Sequence, residues 1–218
     1  MNTKNALLLT FCLLFPLMMA CSNNQNASNK PAKQDAKDLS KLQKAYFASG
    51  CFWCVEAIFE SVEGVEEAVS GYAGGKEQNP TYQSVSSGAS GHTEVVEVYY
   101  DPEVVSYETL LKVFYGSHDP TTVNGQYPDY GTQYRSAIFY TNATEKALAE
   151  KAMKEVAAKY DKPIATEISA LTTFWKAEDY HQDFEERNPN QSYVKAVSVP
   201  RLNKFKAKFP ELLKKNGH

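Results

Sequence analysis

Cysteine is scarce in this 218-residue chain: Cys12, Cys21, Cys51 and Cys54 are the full set. Four are too few to staple a small scaffold, and a domain of this length needs no staples. There is no second Cys-x-x-Cys, and His92, His118 and His181 are scattered without a pair at ligand spacing, so no metal site is expected. Positive charge is not in excess: 23 Lys and Arg against 26 Asp and Glu leave −3, which argues against nucleic acid as a main partner. No internal repeat is visible. The one long apolar run, Ala6 to Met19, is short for a membrane span, and no basic stop-transfer cluster follows at once. The remaining composition, 43% hydrophobic and 22% charged, fits one globular domain with appended segments.

The appended segments are at the start. Met1 to Ala20, with Lys4 ahead of the apolar run, reads as a secretory signal. Met18-Met19-Ala20-Cys21 resembles the lipobox of bacterial lipoproteins, with Met18 where leucine is usual, so Cys21 is the expected lipidation site. Plain secretion and an uncleaved anchor are the alternatives. Residues 22–41, rich in Asn, Gln, Lys, Asp, Ala and Ser, read as a flexible tether to a domain spanning 42–218. The expected location is the cell envelope, on a bacterial membrane through the lipid, as a monomer. Cleavage and acylation would leave only Cys51 and Cys54 as free thiols.

Within the domain, Ala45 to Ala48 reads as a buried strand. The helical spacing of Val55, Ile58, Phe59 and Val62 follows it. Strands are predicted at Val65 to Tyr72, Thr93 to Tyr100, Ser136 to Tyr140 and Thr166 to Ser169. Helices are predicted at Pro80 to Val85, after the N-cap Ser106, from the N-cap Thr144 to Tyr160, and weakly over Ala177 to Glu186. In the Thr144 helix, Leu148, Ala152, Val156 and Tyr160 should point inward and Glu150 should pair with Lys154. The order β-α-β, β-α-β, helix, strand predicts an α+β two-layer sandwich with a ferredoxin-like split βαβ core. Two loops, Tyr72 to Gly91 and His118 to Tyr134, are long enough to suggest site-forming roles.

Cys51 stands where strand becomes helix, so unpaired N–H groups and the helix dipole should favour its thiolate. Cys54 is one turn on, close enough for a disulfide with modest adjustment. Glu94 shares a strand face with Val96, Val98 and Tyr100. On the core face it would be a desolvated carboxyl able to stay protonated; on the other it would be a solvated charge, and alternation leaves both open. Phe52 and Trp53 either line a pocket for a small apolar group or pack on the sheet. The loop holding Tyr127, Asp129, Tyr130 and Tyr134 is either turn chemistry or a binding surface.

The motifs Gly50-Cys51-Phe52-Trp53, Gly71-Tyr72-Ala73-Gly74-Gly75, Pro80-Thr81-Tyr82, Gly91-His92-Thr93-Glu94, His118-Asp119-Pro120-Thr121, Asp129-Tyr130-Gly131-Thr132-Gln133-Tyr134 and Ala177-Glu178-Asp179-Tyr180-His181-Gln182 occur in the order of the peptide methionine sulfoxide reductase A family, which the chain resembles from about Leu42 to Pro210. The resemblance implies reduction of the S epimer of methionine sulfoxide, free or in oxidised proteins, without a cofactor. It implies Cys51 as nucleophile, Phe52 and Trp53 as a cage for the S-methyl group, Glu94 as proton donor, and Tyr82 and Tyr134 as partners of the oxygen. Asp129 would support the network and His181 would border the site. The family usually has glycine at position 54, and many members resolve with a cysteine in the tail. Here no cysteine follows Cys54, so a Cys51–Cys54 disulfide reduced by thioredoxin or a similar dithiol is the expectation. Two further readings are a thioredoxin-like oxidoreductase and a ligand-binding lipoprotein with an inert disulfide.

Overall fold

The computed structural model describes residues 39–215; the signal, Cys21 and most of the tether lie outside the described residues. The last three tether residues, Leu39–Lys41, form a 3₁₀ turn. In chain order the elements are β1 (Gln43–Ser49), α1 (Phe52–Glu60), β2 (Val65–Ala73), α2 (Tyr82–Ser86), β3 (Thr93–Tyr100), α3 (Tyr107–Gly116), β4 (Gly125–Gln126) and β5 (Asp129–Tyr130). There follow β6 (Ser136–Tyr140), α4 (Ala143–Ala157), β7 (Glu167–Ala170), β8 (Trp175–Lys176), α5 (Phe184–Arg187) and α6 (Val199–Lys208). Among the described residues, no helix is long and apolar enough to cross a membrane.

One six-stranded sheet runs β7-β6-β1-β3-β2-β8, and a small hairpin pairs β4 with β5. Neighbours in the sheet are antiparallel except β6 and β7. The inner order β6-β1-β3-β2 is the split βαβ arrangement expected from the sequence: β1 and β2, joined through α1, are separated by β3. This topology brings the end of β1, the end of β2 and the beginnings of β3 and β6 to one end of the sheet. The register confirms it, with Tyr72 opposite Glu94 and Ser49 opposite Ser136.

Alternation along β3 assigns the two faces. Val96, Val98 and Tyr100 join the main core with α1 and α3, whereas Val95 joins a smaller cluster with Tyr46, Ala48 and Phe139 behind the sheet. Leu171 and Phe174 cover that rear cluster. In the main core Phe47 stacks on Phe59 at 4.9 Å and on Phe114 at 5.4 Å, tying β1 to both helices. Each such buried side chain contributes about 1.5–3 kcal/mol relative to exposure.

Ser106 caps α3 as expected, its side chain accepting from Thr109 N–H. Thr144 does not cap α4. Asn142 does, accepting from Glu145 N–H while the Glu145 carboxylate accepts from Thr141 N–H, so the cap lies two residues earlier. The helix ends at Ala157, which leaves Tyr160 39% exposed rather than inward. Glu150 pairs with Lys146 at 3.7 Å, not with Lys154. The weakly read stretch Ala177 to Glu186 is two pieces, a 3₁₀ turn at Asp179–His181 and α5, broken at Asp183 with φ +52°. The hairpin, β8 and α6 had no clear pattern; α6 is a basic helix whose Phe205 enters the core.

Candidate active site

Gly50 makes the turn from β1 into α1 with φ +86°, a conformation that side-chain-bearing residues rarely adopt. It sets Cys51 at the N-cap of α1. One turn later Cys54 follows, and Val55 N–H closes the turn on Cys51 C=O at 3.3 Å. Both cysteines are free and buried.

Glu94, second in β3, points into the main core layer, as the core-face alternative required. It is 2% exposed, and one carboxyl oxygen accepts the Phe52 N–H at 2.9 Å. Burial pushes its pKa up to about 8, partly offset by that hydrogen bond, so the carboxyl carries its proton at neutral pH. Thr93 Oγ1 donates to Gln133 C=O at 2.8 Å and so ties the start of β3 to the turn carrying Tyr134. Tyr82 and Tyr134 lie close enough to Glu94 and Cys51 to feel their charge, which adds to burial in raising both hydroxyls. Cys51, Glu94, Tyr82 and Tyr134 therefore converge at the sheet end.

The thiols depart from the sequence expectation. The first free N–H of α1 is taken by Glu94, not by a thiolate on Cys51. Burial, aided by Cys54 and Glu94, holds the Cys51 thiol well above its ordinary value. Cys54 goes the other way, to about 6, drawn down by the hydrogen bond from Cys51 and then by Arg201, Ser198 and Tyr193. The two thiols thus compete for one proton, which burial favours on Cys51 and the surroundings of Cys54 disfavour there.

Phe52 is fully buried against Tyr72 and His181, with ring centroids at 5.9 and 4.9 Å. Trp53 is half-buried and stacks on Phe184 at 3.7 Å. Its Nε1–H donates to His181 Nδ1 at 3.2 Å. His181 therefore carries its proton on Nε2, which has no hydrogen-bond partner among the described residues; Glu178 Oε2 is 3.9 Å away. Burial lowers the His181 pKa, which keeps the ring neutral and its Nδ1 available to Trp53. Glu178 accepts Tyr82 N–H and Tyr72 O–H, both at 2.9 Å, and so anchors α2 to the sheet.

Asp129, at the start of β5, accepts from Tyr193 Oη–H, and Tyr193 Oη is also 3.8 Å from Cys54 Sγ. Tyr193 and Arg201 were not singled out in the sequence, because they lie in the tail where no apolar period was read. Arg201 is fixed by Ser49 C=O at 2.9 Å and Ser117 C=O at 3.1 Å.

The other two histidines among the described residues serve the scaffold. His92 accepts Gly75 N–H at 3.1 Å on Nδ1 and donates to Glu77 C=O at 2.8 Å. His118 donates to Phe114 C=O at 2.7 Å and accepts from Ser136 Oγ at 2.9 Å, and burial drives its pKa to about 3. Three carboxylates that could face one cation come together away from the thiols, Glu56 and Glu60 from α1 and Asp183 from the start of α5. There Glu56 is already bonded to Ser70 Oγ and Asp183 N–H. A 580 Å³ cavity beside them is walled by Trp53, Phe184 and Leu202, and neither Cys51 nor Glu94 lines it.

A nucleophilic sulfur, a second sulfur in reach and a protonated carboxyl together can reduce a bond to oxygen and collect the oxidation as a disulfide. Comparison with known proteins agrees. The family model for peptide methionine sulfoxide reductase matches residues 43–213. Peptide methionine sulfoxide reductase MsrA 1 of Rhodopirellula baltica is 48% identical over 173 residues, covering 79% of this chain and 90% of the relative. Mxr1 from Saccharomyces cerevisiae in reduced form superposes with a TM-score of 0.67 at 34% identity, over 73% of this chain and 92% of that one. Mxr1 in complex with Trx2 superposes with a TM-score of 0.50 at 26% identity, over 70% and 91%. The chain belongs to the peptide methionine sulfoxide reductase MsrA family, and it reduces methionine sulfoxide.

Proposed function

We propose that Cys51 attacks the sulfur of the S epimer of methionine sulfoxide, free or in oxidised proteins, while Glu94 protonates the oxygen. Tyr82 and Tyr134 hydrogen-bond that oxygen, and Phe52 and Trp53 flank the S-methyl group. Asp129 and His181 support this network, His181 through the Trp53 indole. Methionine leaves and Cys51 becomes a sulfenic acid. Cys54 then condenses with it to a disulfide, releasing water, and a thioredoxin-type dithiol restores both thiols. The observation that carries the reading is a pair of buried free thiols one helical turn apart at the start of α1, beside a buried carboxyl that accepts the Phe52 N–H between them. The complex of the yeast relative with Trx2 supports the choice of reductant.

Cys54→Ser tests the resolving role. The variant should release one methionine per chain and then stall as sulfenic acid when thioredoxin is the reductant; unchanged thioredoxin-driven turnover would remove Cys54 from the scheme. The expected setting is the cell envelope, with a signal over residues 1–20, acyl chains on Cys21, a tether to residue 41 and the reductase from 42 to 218. Several acyl chains, at about 0.8 kcal/mol per buried CH₂, would hold the enzyme on the membrane. Labelling of the chain by radioactive palmitate in bacteria, lost in Cys21→Ala, supports this setting; an unlabelled wild-type chain counts against it.

A further inference from the structure

Cys54 is 1% exposed, so bulk solvent has little access to the proton it must lose before it can attack. In the reduced protein the strongest help in ionising Cys54 is the hydrogen bond from Cys51. That thiol no longer exists once Cys51 is a sulfenic acid. The resolving step therefore starts from a buried thiol that has lost its chief support, and it needs a base inside the protein.

One path leads outward from the sulfur. Cys54 Sγ is 3.8 Å from Tyr193 Oη, and Tyr193 Oη–H donates to Asp129 Oδ2 at 2.5 Å. While Tyr193 donates to Asp129, its lone pairs are free to receive the Cys54 S–H. Tyr193 is held by the edge-on contact of its ring with Trp53 at 5.9 Å. Asp129 is half-buried, so a proton arriving there can reach water.

We propose that Asp129, acting through the Tyr193 hydroxyl, is the base that deprotonates Cys54 in the resolving step. The proposal rests on the reading that Cys54 closes the disulfide. Cys54 gives its proton to Tyr193 as Tyr193 gives its own to Asp129. The Cys54 sulfur attacks Cys51 Sγ; the S–S bond forms and the S–O bond of the sulfenic acid breaks. The oxygen leaves as water with a second proton from Glu94, which its raised pKa lets it regain from solvent after the sulfoxide step. Two electrons pass from the Cys54 sulfur to the sulfenic sulfur, and the sum is one thiol and one sulfenic acid giving one disulfide and one water. Asp129 ends protonated and Glu94 ionised, and proton exchange with solvent resets both. The charged and titratable groups around the relay are Cys51, Glu94, Arg201 and Tyr193 at Cys54, and Glu94, Arg201, Tyr193, Tyr82 and Tyr134 at Asp129.

The test is a rapid-quench single turnover of pre-reduced protein with methionine sulfoxide from pH 6 to 9.5. Methionine release and Cys51–Cys54 disulfide are counted separately by mass. In wild-type protein the disulfide rate should be nearly flat from pH 7 to 9. In Tyr193→Phe it should drop at least about tenfold at pH 7 relative to methionine release, then climb steeply with pH as hydroxide replaces the relay. Asp129→Asn, in which methionine release itself should slow because Asp129 also supports the substrate network, should still accumulate sulfenic acid at pH 7 and clear it faster as pH rises. A flat disulfide profile in both variants, or a fall matched by methionine release at every pH, would overturn the relay. Wild-type protein that releases methionine without forming the disulfide would overturn the Cys54 reading beneath it.

Discussion

Replacing Glu94 with glutamine separates the carboxyl's proton from its shape. The amide oxygen can still accept the Phe52 N–H that now lies 2.9 Å from Glu94, so the start of α1 should keep its place. What disappears is the donor to the sulfoxide oxygen. General acid catalysis contributes about 10²–10⁴-fold, or roughly 3–5 kcal/mol of barrier. The single-turnover rate of methionine release should therefore fall by that factor at pH 7. The pH profile is a sharper test. In wild-type protein the plateau should run from about 6, where the thiol pair takes its one charge, to about 8, where Glu94 loses its proton. The alkaline arm should vanish in Glu94→Gln while the acid arm stays. Stability should respond with the opposite advantage. The folded pKa of about 8 lies above the ordinary 4.5, so the folded state holds a proton that the unfolded chain releases. That contribution is complete below about 4.5 and is lost as pH rises through about 8, several kcal/mol in all. Glutamine has no such proton, so the variant should be the more stable form at pH 9. An unchanged rate at pH 7, or an alkaline arm that survives the substitution, would refute the assignment of Glu94 as the acid.

His181→Ala should leave the Trp53 N–H without its acceptor and remove the ring between Phe52 and Tyr82; KM should rise about tenfold with a smaller change in kcat, measured by steady-state kinetics on free methionine sulfoxide. Gly75→Ala would set a Cβ 2.4 Å from the His92 backbone nitrogen, and a loss of about 1–3 kcal/mol in urea unfolding is expected. Ser106→Ala removes the acceptor of Thr109 N–H at the start of α3 and should lower stability by about 1 kcal/mol in the same assay, with methionine release unaffected.

Strong local patterns were legible without coordinates. Thr93–Tyr100 and Ser136–Tyr140 are strands from first to last residue as read, and the Ser106 cap is in place. The strand–helix junction at Cys51 follows from a buried run meeting a helical period. Alternation could not choose a face for Glu94, because the next two residues, Val95 on the opposite face and Val96 on its own, are equally apolar; only the layer of helices over Val96 and Val98 decides. The ionisation of the thiols was read from the helix terminus alone, and burial reversed it at Cys51. Tyr193 and Arg201 were illegible because they reach the site by tertiary packing of a polar, basic tail with no period of its own. The break of the tail at Asp183 was equally hidden, since its Glu56 partner is 127 residues earlier.

The central claim is a sulfoxide reduction that ends in a disulfide within one turn of helix. Pre-reduced protein mixed with racemic methionine sulfoxide, with no added reductant, tests it most directly. About one methionine should form per chain, all from the S epimer, with Cys51 afterwards linked to Cys54. Release of no methionine with both thiols intact, or consumption of the R epimer, would contradict it.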